Sequence, residues 1–302
     1  MLTKFTALVM GVLLSVSAMA ADMATADMAT LTRQAQSGGA VAQSDLADEY
    51  YQQGNHAKAF EWYTKAANQG EAEAQHNLGV MYYEGQGVRQ DYYKSVEWYT
   101  KAAKQGYADA QFNLALMYAQ GDGVRQDYHK AFEWFTKAAN QGLAEAQFSL
   151  GVMYDEGQGV RQDYYKAVEW YTKAANQGYA GAQFNLALMY YEGQGVRQDD
   201  QEAVEWYTKA AGQGHAEAQY NLGVMYYEGQ GVRQDYHKAV EWFTKAANQG
   251  FAQAQNNLGV MYDEGQGVRQ NIATAKIYYG QACDHGLQKG CDNYRLLHQQ
   301  GH

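Results

Sequence analysis

Side chains that could do chemistry are few in this sequence. Five of the eight histidines lie at unrelated positions, with no cysteine or second histidine at ligand spacing: His56, His76, His129, His215 and His237. Zinc needs three or four such ligands together, so the sequence predicts no metal site. Carboxylates recur at one register, at least 36 residues apart, which suits a solvated edge and not a catalytic pair: Glu84, Glu156, Glu192, Glu228 and Glu264.

Motifs of catalysis are absent from the sequence. There is no nucleophile elbow, no Ser-x-x-Lys and no His-Glu-x-x-His. The repeated Gly-Gln-Gly-Val is not a phosphate loop, because no Lys-Ser or Lys-Thr follows it and no strand precedes it. We therefore predict no catalytic residue, no cofactor and no enzyme activity.

Cys283 and Cys291 are the only cysteines. Their spacing is not the Cys-x-x-Cys of redox-active pairs. They flank Gly286, and a glycine turn between two antiparallel helices would bring them face to face. In an oxidising compartment we predict a structural disulfide, worth about 2–3 kcal/mol through its short closed loop. It would hold the last hairpin, which has a neighbour on one side only.

Composition and charge narrow the class of protein. Because 46% of the 302 residues are apolar or aromatic, a disordered chain is disfavoured. The formal net charge of −10 disfavours nucleic-acid binding, which needs a basic surface to displace phosphate counterions. The partner that we predict is a protein or a peptide.

The first 20 residues resemble a targeting signal and not part of the folded domain. Lys4 precedes an apolar stretch over 5–16, and small residues at Ala18 and Ala20 mark a cleavage site, so we predict a signal peptide over 1–20 cut after Ala20. The apolar stretch is shorter than the roughly 20 residues that span a bilayer, and no longer apolar run follows it. Residues 21–40 are predicted to be an N-terminal linker, and the protein to be periplasmic or secreted, with no membrane span after cleavage.

The remaining chain repeats one unit with a period of 36 residues. All six tryptophans keep this spacing, and Tyr278 takes the seventh position: Trp62, Trp98, Trp134, Trp170, Trp206 and Trp242. Apolar or small residues at 74, 78, 81 and 82, and at 92, 95, 96, 99, 102 and 103, recur with helical and not strand periodicity. A period in this range is typical of solenoids and related repeat arrays.

The unit reads as two helices joined by glycine-rich turns. Asp91 and its equivalents precede the second helix, where a carboxylate can accept hydrogen bonds from the first turn. Gly70 and its equivalents follow it as C-terminal caps. Such helices of about 13 residues are unstable alone in water, so we predict that hairpins stack on one another. Tyr82, Trp98 and Tyr99 are predicted to supply the large buried surface.

The pattern A-x-x-x-L-G-x-x-Y-x-x-G-x-G-V-x-x-D-x-x-x-A-x-x-W-x-x-x-A-A-x-x-G resembles the Sel1-like repeat, a relative of the tetratricopeptide repeat. The resemblance implies an all-α, right-handed α/α solenoid of about seven repeats over 41–302 whose first helices line a concave groove. The hairpin over 41–69 has a turn four residues shorter and resembles a plain tetratricopeptide hairpin. The helix 287–299 is predicted to be the C-terminal cap.

By this resemblance, positions 73, 76, 77, 80, 83 and 84 face the groove. Candidate partner-binding residues at position 76 and its equivalents are His76, Phe112, Phe148, Phe184 and Tyr220. At position 83 they are Tyr83, Tyr191 and Tyr227. At position 77 they are Asn77, Asn113, Asn185, Asn221 and Asn257, since related repeats grip an extended peptide with asparagine. Alternatively, these asparagines tie neighbouring helices together and the aromatic rings pack between repeats.

The resemblance implies an exported scaffold or adaptor that holds a protein or peptide in the groove, in host interaction among other roles. One alternative is a periplasmic immunity or regulatory protein that neutralises a toxin or an envelope enzyme. Another is a weak β-lactam hydrolase, as in cysteine-rich relatives, although no serine or lysine motif here matches one. Aromatic anchors in an acidic groove favour a partner segment with apolar and basic residues.

Overall fold

The computed structural model describes residues 28–300, and these form sixteen helices and no strand. The predicted signal peptide lies outside the described residues. The chain divides into two compact units, the first ending at Gln141 and the second beginning at Gly142. The all-α prediction is confirmed for this part of the chain.

Unit 1 contains seven helices, and from α2 onward they alternate as first and second helices of successive hairpins. They are α1 (Met28–Gln36), α2 (Ala40–Gln52), α3 (His56–Asn68), α4 (Ala72–Glu84), α5 (Tyr92–Lys104), α6 (Ala108–Gln120) and α7 (Tyr128–Asn140).

Unit 2 contains nine helices arranged in the same alternation and closed by a last first helix, α16. They are α8 (Ala144–Glu156), α9 (Tyr164–Asn176), α10 (Ala180–Glu192), α11 (Asp200–Gly212), α12 (Ala216–Glu228), α13 (Tyr236–Asn248), α14 (Ala252–Glu264), α15 (Ile272–Asp284) and α16 (Gln288–Gln299).

Helix boundaries follow from capping residues. Asp91 accepts a hydrogen bond from the backbone N–H of Lys94 (3.1 Å), and so satisfies an amide that has no partner within helix α5. Helix α4 ends at Gly85, whose φ of 75° is the left-handed conformation that glycine adopts without strain.

The second glycine of each Gly-Gln-Gly turn fixes how one repeat sits on the next. Gly267 has a φ of 65°, and a Cβ there would lie 2.4 Å from the carbonyl oxygen of Tyr236, the first residue of α13. Any side chain would therefore push the turn away from the preceding second helix. Close contact between successive repeats depends on this glycine.

The core of each hairpin is built around one ring of the second helix. Tyr99 is buried, and a Cβ on Gly79 would lie 2.6 Å from its ring, so the glycine lets the two helices approach. Trp98 and Tyr82 are only half-buried, contrary to the expectation that they lie in the core. The Lys101 Nζ lies 3.6 Å above the Trp98 ring, a cation–π contact that partly covers it.

Within each unit, a buried glutamine ties a first helix to the second helix before it. In unit 1 the Gln75 side-chain amide donates to the Ala67 carbonyl (3.1 Å), and its Oε1 accepts from the Gln105 side chain (2.8 Å). Gln105 also donates to the Gly70 carbonyl (2.9 Å). We call this arrangement the glutamine clip. It was not predicted from the sequence.

The disulfide replaces this clip at the end of unit 2. Cys291 stands on α16 where Gln75 stands on α4, and it is bonded to Cys283 with a Cα–Cα distance of 4.5 Å. The prediction of a structural disulfide is confirmed. The disulfide thus joins α16 to α15 at the position where the clip joins α4 to α3.

Residues 21–40 were predicted to be a linker, but α1 occupies 28–36 of this segment. Leu31 and Ala35 of α1 are buried, and the Gln43 side chain donates to the Ala35 carbonyl (3.1 Å) as Gln75 does to Ala67. Helix α1 therefore packs as a divergent second helix of one further repeat. Thr30 stands where the second helices α3 to α13 carry tryptophan and α15 carries Tyr278, so the aromatic spacing that marks the other repeats is missing from α1.

Candidate protein-binding surface

The seven first helices that precede a second helix, α2 to α14 in alternation, carry charge of one sign. None of them contains a lysine or an arginine. In unit 1 their acidic residues are Asp45, Asp48, Glu49, Glu73, Glu84 and Asp109. In unit 2 they are Glu145, Asp155, Glu156, Glu192, Glu217, Glu228, Asp263 and Glu264. Every second helix from α3 to α15 carries at least one lysine, so the two kinds of helix differ in charge.

In unit 1, three of the predicted groove residues are buried. Exposed fractions are 4% for His76, 2% for Asn77 and 4% for Phe112. The His76 ring packs against Tyr99 and Tyr107, with ring centres 5.6 and 5.3 Å away. These side chains support the surface from beneath and are not available to a partner.

His76 is held as a neutral side chain. Its Nδ1 lies 3.1 Å from Asn77 Oδ1, and its Nε2 lies 2.9 Å from Asn113 Nδ2. A ring that donates through Nδ1 and accepts through Nε2 satisfies both contacts without a charge. Burial disfavours the imidazolium and lowers the pKa of His76 to about 4.

Tyr83 braces the turn of the following repeat. Its hydroxyl donates to Asp122 Oδ2 (3.4 Å), and its ring lies 5.0 Å from that of Tyr92. Burial, with the Asp122 carboxylate beside it, raises the pKa of Tyr83 to about 12. The side chain is half-buried, so part of it is accessible.

Unit 1 also has several carboxylates close to these rings. Tyr63 donates a hydrogen bond to Asp48. Burial raises the pKa of Asp48 to about 7, with a contribution from the negative charges of Glu73, Asp45 and Glu71 and against the effect of the Tyr63 hydrogen bond. Burial also raises the pKa values of Asp45, Glu73 and Asp109 above their ordinary range. Deprotonating Asp48 in this site costs folding free energy.

In unit 2 the aromatic side chains at the equivalent position are half-buried. Phe148, Phe184 and Tyr220 each pair with a ring at the start of the next first helix. The ring centres are 5.1 Å apart for Phe148–Tyr179, 4.7 Å for Phe184–His215 and 5.1 Å for Tyr220–Phe251. The result is a row of three partly exposed ring pairs along unit 2.

The predicted asparagines of unit 2 already have hydrogen-bond partners. Asn221 Nδ2 donates to the Tyr207 hydroxyl (3.1 Å), and Asn185 is hydrogen-bonded to Tyr171. Asn257 bonds to Tyr220. These contacts favour the alternative given above, in which the asparagines tie helices together.

The tyrosines predicted at position 83 brace turns in unit 2 as well. Tyr191 donates to Gln230 Oε1 (3.1 Å), across one repeat. The Tyr227 ring lies 5.2 Å from that of Tyr236. Both side chains are half-buried, so their exposed parts are still candidates for contact.

Comparisons with known proteins agree with this architecture. The Sel1 repeat model matches seven consecutive segments: 40–71, 72–107, 108–143, 144–179, 180–215, 216–251 and 252–287. The chain belongs to the Sel1 repeat family. The predicted family and the solenoid fold are thereby confirmed.

Two solved structures show how Sel1 repeat chains of this kind fold. One is c5321, described as a protective antigen present in uropathogenic Escherichia coli strains, with 38% identity and a TM-score of 0.88 over 91% of this chain. This chain spans only 60% of the length of c5321. The other is a Sel1 repeat protein from Oxalobacter formigenes, with 36% identity and a TM-score of 0.75, covering 89% of this chain and 79% of that one. No protein with a curated description matches.

Within this Sel1 repeat chain, the residues that sequence reasoning missed are the ring partners at the start of the first helices. Tyr107, Tyr179, His215 and Phe251 recur at one register, where Glu71, Leu143 and Leu287 are the exceptions. That periodicity was visible in the sequence and could have identified them. Gly181, which lies beside one ring pair, was also missed.

The structure offers little for other kinds of chemistry. Among residues 28–300, histidine, cysteine and acidic side chains form no group of three that could hold a metal ion. Within the same part of the chain, no helix has the length and apolar character needed to cross a membrane. What the Sel1 repeats do provide is a surface of acidic and aromatic side chains on the first helices.

Proposed function

We propose that this protein is an exported scaffold that uses its first helices to hold a protein segment bearing basic and apolar residues. The observation that carries the proposal is the absence of lysine and arginine from the seven first helices between α2 and α14, although every second helix from α3 to α15 has lysine. The last first helix, α16, differs and carries Lys289 and Arg295. A face of one sign attracts a partner of the opposite sign and repels others.

The carboxylates of unit 1 support a basic partner. Asp48, Glu73 and Asp109 are partly buried and have raised pKa values, so their charged forms lack adequate solvation or counter-charge. A lysine or arginine side chain from a partner would supply that counter-charge. Perturbed carboxylates at an accessible surface are typical of functional sites.

The half-exposed ring pairs of unit 2 support an apolar component. Aromatic side chains give a large contact area with little loss of conformational entropy on binding, which is why they dominate interface energetics. Phe148, Phe184 and Tyr220 have this character, with one face packed on the core and the other accessible.

Export is proposed from two features. The predicted signal peptide directs the chain across the inner membrane. The Cys283–Cys291 disulfide is stable in an oxidising compartment and would be reduced in most cytosols.

The proposal is tested by neutralising acids on each kind of helix and measuring partner capture. The test variant combines Glu73→Gln, Asp109→Asn, Glu145→Gln and Glu217→Gln on first helices. The matched control removes four exposed charges from second helices, with Glu133→Gln, Glu169→Gln, Glu205→Gln and Glu241→Gln. Both variants are first checked by circular dichroism for intact helix.

We expect a partner captured from periplasmic and surface extracts by the wild-type chain to bind the control variant equally. The first-helix variant should lose it by at least tenfold, with the deficit shrinking at high salt. Equal loss in both variants, or no loss in either, would contradict the proposal. A toxin or an envelope enzyme as the captured partner would identify the immunity or regulatory alternative.

A further inference from the structure

His215 is the residue that caps the start of the first helix α12 in unit 2. Its Nδ1 accepts a hydrogen bond from the backbone N–H of Ala218 (3.3 Å), an amide that has no partner within the helix. Its ring is stacked on that of Phe184, with centres 4.7 Å apart and planes inclined at 18°. Because Nδ1 accepts this hydrogen bond through its lone pair, the ring is neutral and carries its proton on Nε2.

The same nitrogen faces a second partner with the opposite requirement. Glu217 Oε2 lies 3.5 Å from His215 Nδ1. An ionised carboxylate only accepts hydrogen bonds, so it can bond to Nδ1 only when that nitrogen carries a proton. The Ala218 N–H can bond to Nδ1 only when it does not. The two contacts exclude each other, and the protonation state of the ring decides between them.

Glu217 is the charged group that governs this choice. Near the ends of α11 and α13, Lys209 and Lys245 each have their Nζ over a tryptophan ring, 3.6 and 3.8 Å from its centre. The other charged residues of α10, α12 and α14 lie in the last turns of these helices, away from the cap: Glu192, Glu228, Asp263 and Glu264. The Glu217 carboxylate therefore stabilises an imidazolium at the cap.

The His215 imidazole is also the one group that can bring positive charge to the acidic first helices. The seven first helices between α2 and α14 contain neither lysine nor arginine, and their single histidine is His76. Burial lowers the pKa of His76 to about 4, so that ring stays neutral under mild acid. His215 is only half-buried, and histidine is the side chain whose charge ordinarily changes between about pH 5 and pH 8.

The fold of unit 2 tolerates the exchange of partners at this cap. The first helices α8, α10 and α14 of the same unit have no side-chain cap, so α12 can lose its own without unfolding. The stacking on Phe184 persists as well, since a cation over an aromatic face is attracted to it.

We infer that protonated His215 is an internal counter-ion of Glu217, which competes with a basic partner and weakens its binding as the pH falls. A proton from solvent binds to Nδ1, the Ala218 N–H loses its acceptor, and Nδ1–H donates to the Glu217 carboxylate. That carboxylate is then neutralised before a lysine or arginine of the partner reaches it. This inference rests on the proposed function and adds its regulation by pH.

The exchange of partners is followed by NMR of the full chain during a pH titration. At about pH 7.5 the ring nitrogen shifts of His215 should show a proton on Nε2 alone, and at about pH 5.5 on both nitrogens. The Ala218 amide proton should move upfield over the same titration, because it loses its acceptor. In Glu217→Gln the titration should move to lower pH, since the imidazolium has lost its counter-charge.

Binding is measured at low salt with a peptide of lysines, serines and leucines that carries a dye without a titratable group. Between pH 7.5 and pH 5.5 the wild-type chain should lose roughly two- to fivefold more affinity than His215→Asn, the range expected for one ion pair at a partly exposed site. Asparagine keeps a cap acceptor but takes up no proton. Because Asp48 of unit 1, with a pKa of about 7, gains a proton over the same range, the difference between the two chains is the measure.

Two further variants serve as controls. His237→Asn changes an exposed histidine on the second helix α13 and should lose affinity with pH as the wild type does. In a Glu217→Gln background, His215→Asn should leave the pH dependence unchanged, because the carboxylate that the imidazolium neutralises is gone.

Each other outcome contradicts a stated step. Equal pH dependence in the wild type and His215→Asn, or a difference that persists without Glu217, would overturn the inference and leave the charge-based surface standing. An Ala218 amide that ignores the titration of His215 would show that the cap does not exchange. If the peptide does not bind at pH 7.5, the proposed function itself fails for basic segments, and its regulation fails with it.

Discussion

The two units build the same hairpin and use its accessible side chains differently. In unit 1, His76 and Phe112 are buried, and the distinctive groups are the carboxylates Asp48, Glu73 and Asp109 with raised pKa values. In unit 2 the equivalent rings of Phe148, Phe184 and Tyr220 are partly exposed. The register of Glu73 and Asp109 keeps a carboxylate at Glu145 and Glu217 but not at Gly181 and Gln253.

The difference shows which positions of a repeat are free to vary. The buried tyrosine or phenylalanine, the small residues and the capping aspartate recur because each hairpin buries its neighbour and cannot be stable alone. Side chains outside these contacts carry no such constraint. Both units therefore carry carboxylates on their first helices, but the rings at the position of His76 and Phe112 are partly exposed only at Phe148, Phe184 and Tyr220 of unit 2.

The largest expected effect is on the free energy of unfolding, and it arises from one partly buried aspartate in each unit. Asp48 in unit 1 and Asp155 in unit 2 each accept a hydrogen bond from a buried tyrosine, Tyr63 and Tyr171 respectively. Because the folded-state pKa of Asp48 is about 7, against an ordinary 3.8, the folded state binds the proton more tightly, and stability is lost as pH rises from about 4 to about 7. Asp48→Asn should therefore stabilise unit 1 at pH 8 by on the order of 3–4 kcal/mol.

Asp155→Asn is the matched variant for unit 2. A tyrosine hydrogen bond lowers the pKa of both aspartates, but the charges of neighbouring carboxylates add to the effect of burial at Asp48, whereas burial alone raises the pKa of Asp155, so we expect a smaller gain. Hydrogen exchange of α2–α4 and of α8–α10 measures both gains at pH 8 and again at pH 4, where the Asp48→Asn gain should disappear. Equal gains in the two units would remove this distinction between them.

A second effect on stability, nearly as large, has the opposite pH dependence: stability is lost as the pH falls. The folded-state pKa of His76 is about 4, below its ordinary 6.5, so the unfolded state binds the proton more tightly. The stability that depends on neutral His76 is complete above pH 6.5 and is lost as pH falls towards 4, by about 3 kcal/mol. His76→Phe should remove this loss, since Phe112, Phe148 and Phe184 occupy the same position in other repeats.

The measurement is amide exchange in α4 and α6 as a function of pH. At pH 7 the variant should be slightly less stable than the wild type, because Asn113 Nδ2 loses its acceptor. At pH 4 the order should reverse. If the Asp48→Asn variant, which retains His76, keeps the stability of unit 1 between pH 6.5 and pH 4, the lowered pKa of His76 is wrong.

The smallest expected effect on stability concerns the contacts that hold each first helix to the second helix before it. Unit 1 uses glutamine clips, whereas the last first helix of unit 2 uses the disulfide. Removing the bond with Cys283→Ala and Cys291→Ala should destabilise α15 and α16 by about 2 kcal/mol. Cys283→Ala with Cys291→Gln should lose less, because the new amide can donate to the carbonyl of residue 283 as Gln75 does to that of Ala67.

Local hydrogen exchange in α15 and α16 distinguishes these two variants. The first helices of unit 1 provide the internal reference, since neither variant changes them. If both variants lose the same stability, the buried glutamine contributes nothing at that position, and the clip is only a geometric coincidence.

The repeated helical hairpins were predicted well from the sequence, because their boundaries depend on local contacts and recur in every repeat. The 36-residue period, the capping Asp91 and the turn glycines each follow from backbone requirements that act over a few residues. The disulfide followed from the position of Cys283 and Cys291 around a glycine turn. Helix α1 was missed because its tryptophan position holds Thr30 and the period was therefore invisible.

The candidate surface was predicted less well, because residue type does not show what a side chain contacts. Phe112 and Phe148 occupy one register, yet Phe112 is buried and Phe148 is half-exposed. Asn185 and Asn221 were expected to be free for a peptide backbone, but their partners are the hydroxyls of tyrosines fourteen residues earlier in the chain. That pairing depends on the packing of two helices from successive repeats.

The sequence by itself therefore determined the helices, their boundaries, the repeat and the charge of one sign on the first helices, since all of these depend on residues close together in the chain. Only the tertiary structure decided that tryptophans lie at the surface beneath lysines, that buried glutamines join helices of successive repeats, and that the Phe148 and Tyr179 rings pack closely against Gly181. Those features depend on distances between helices, which are fixed by packing and not by the order of residues along the chain.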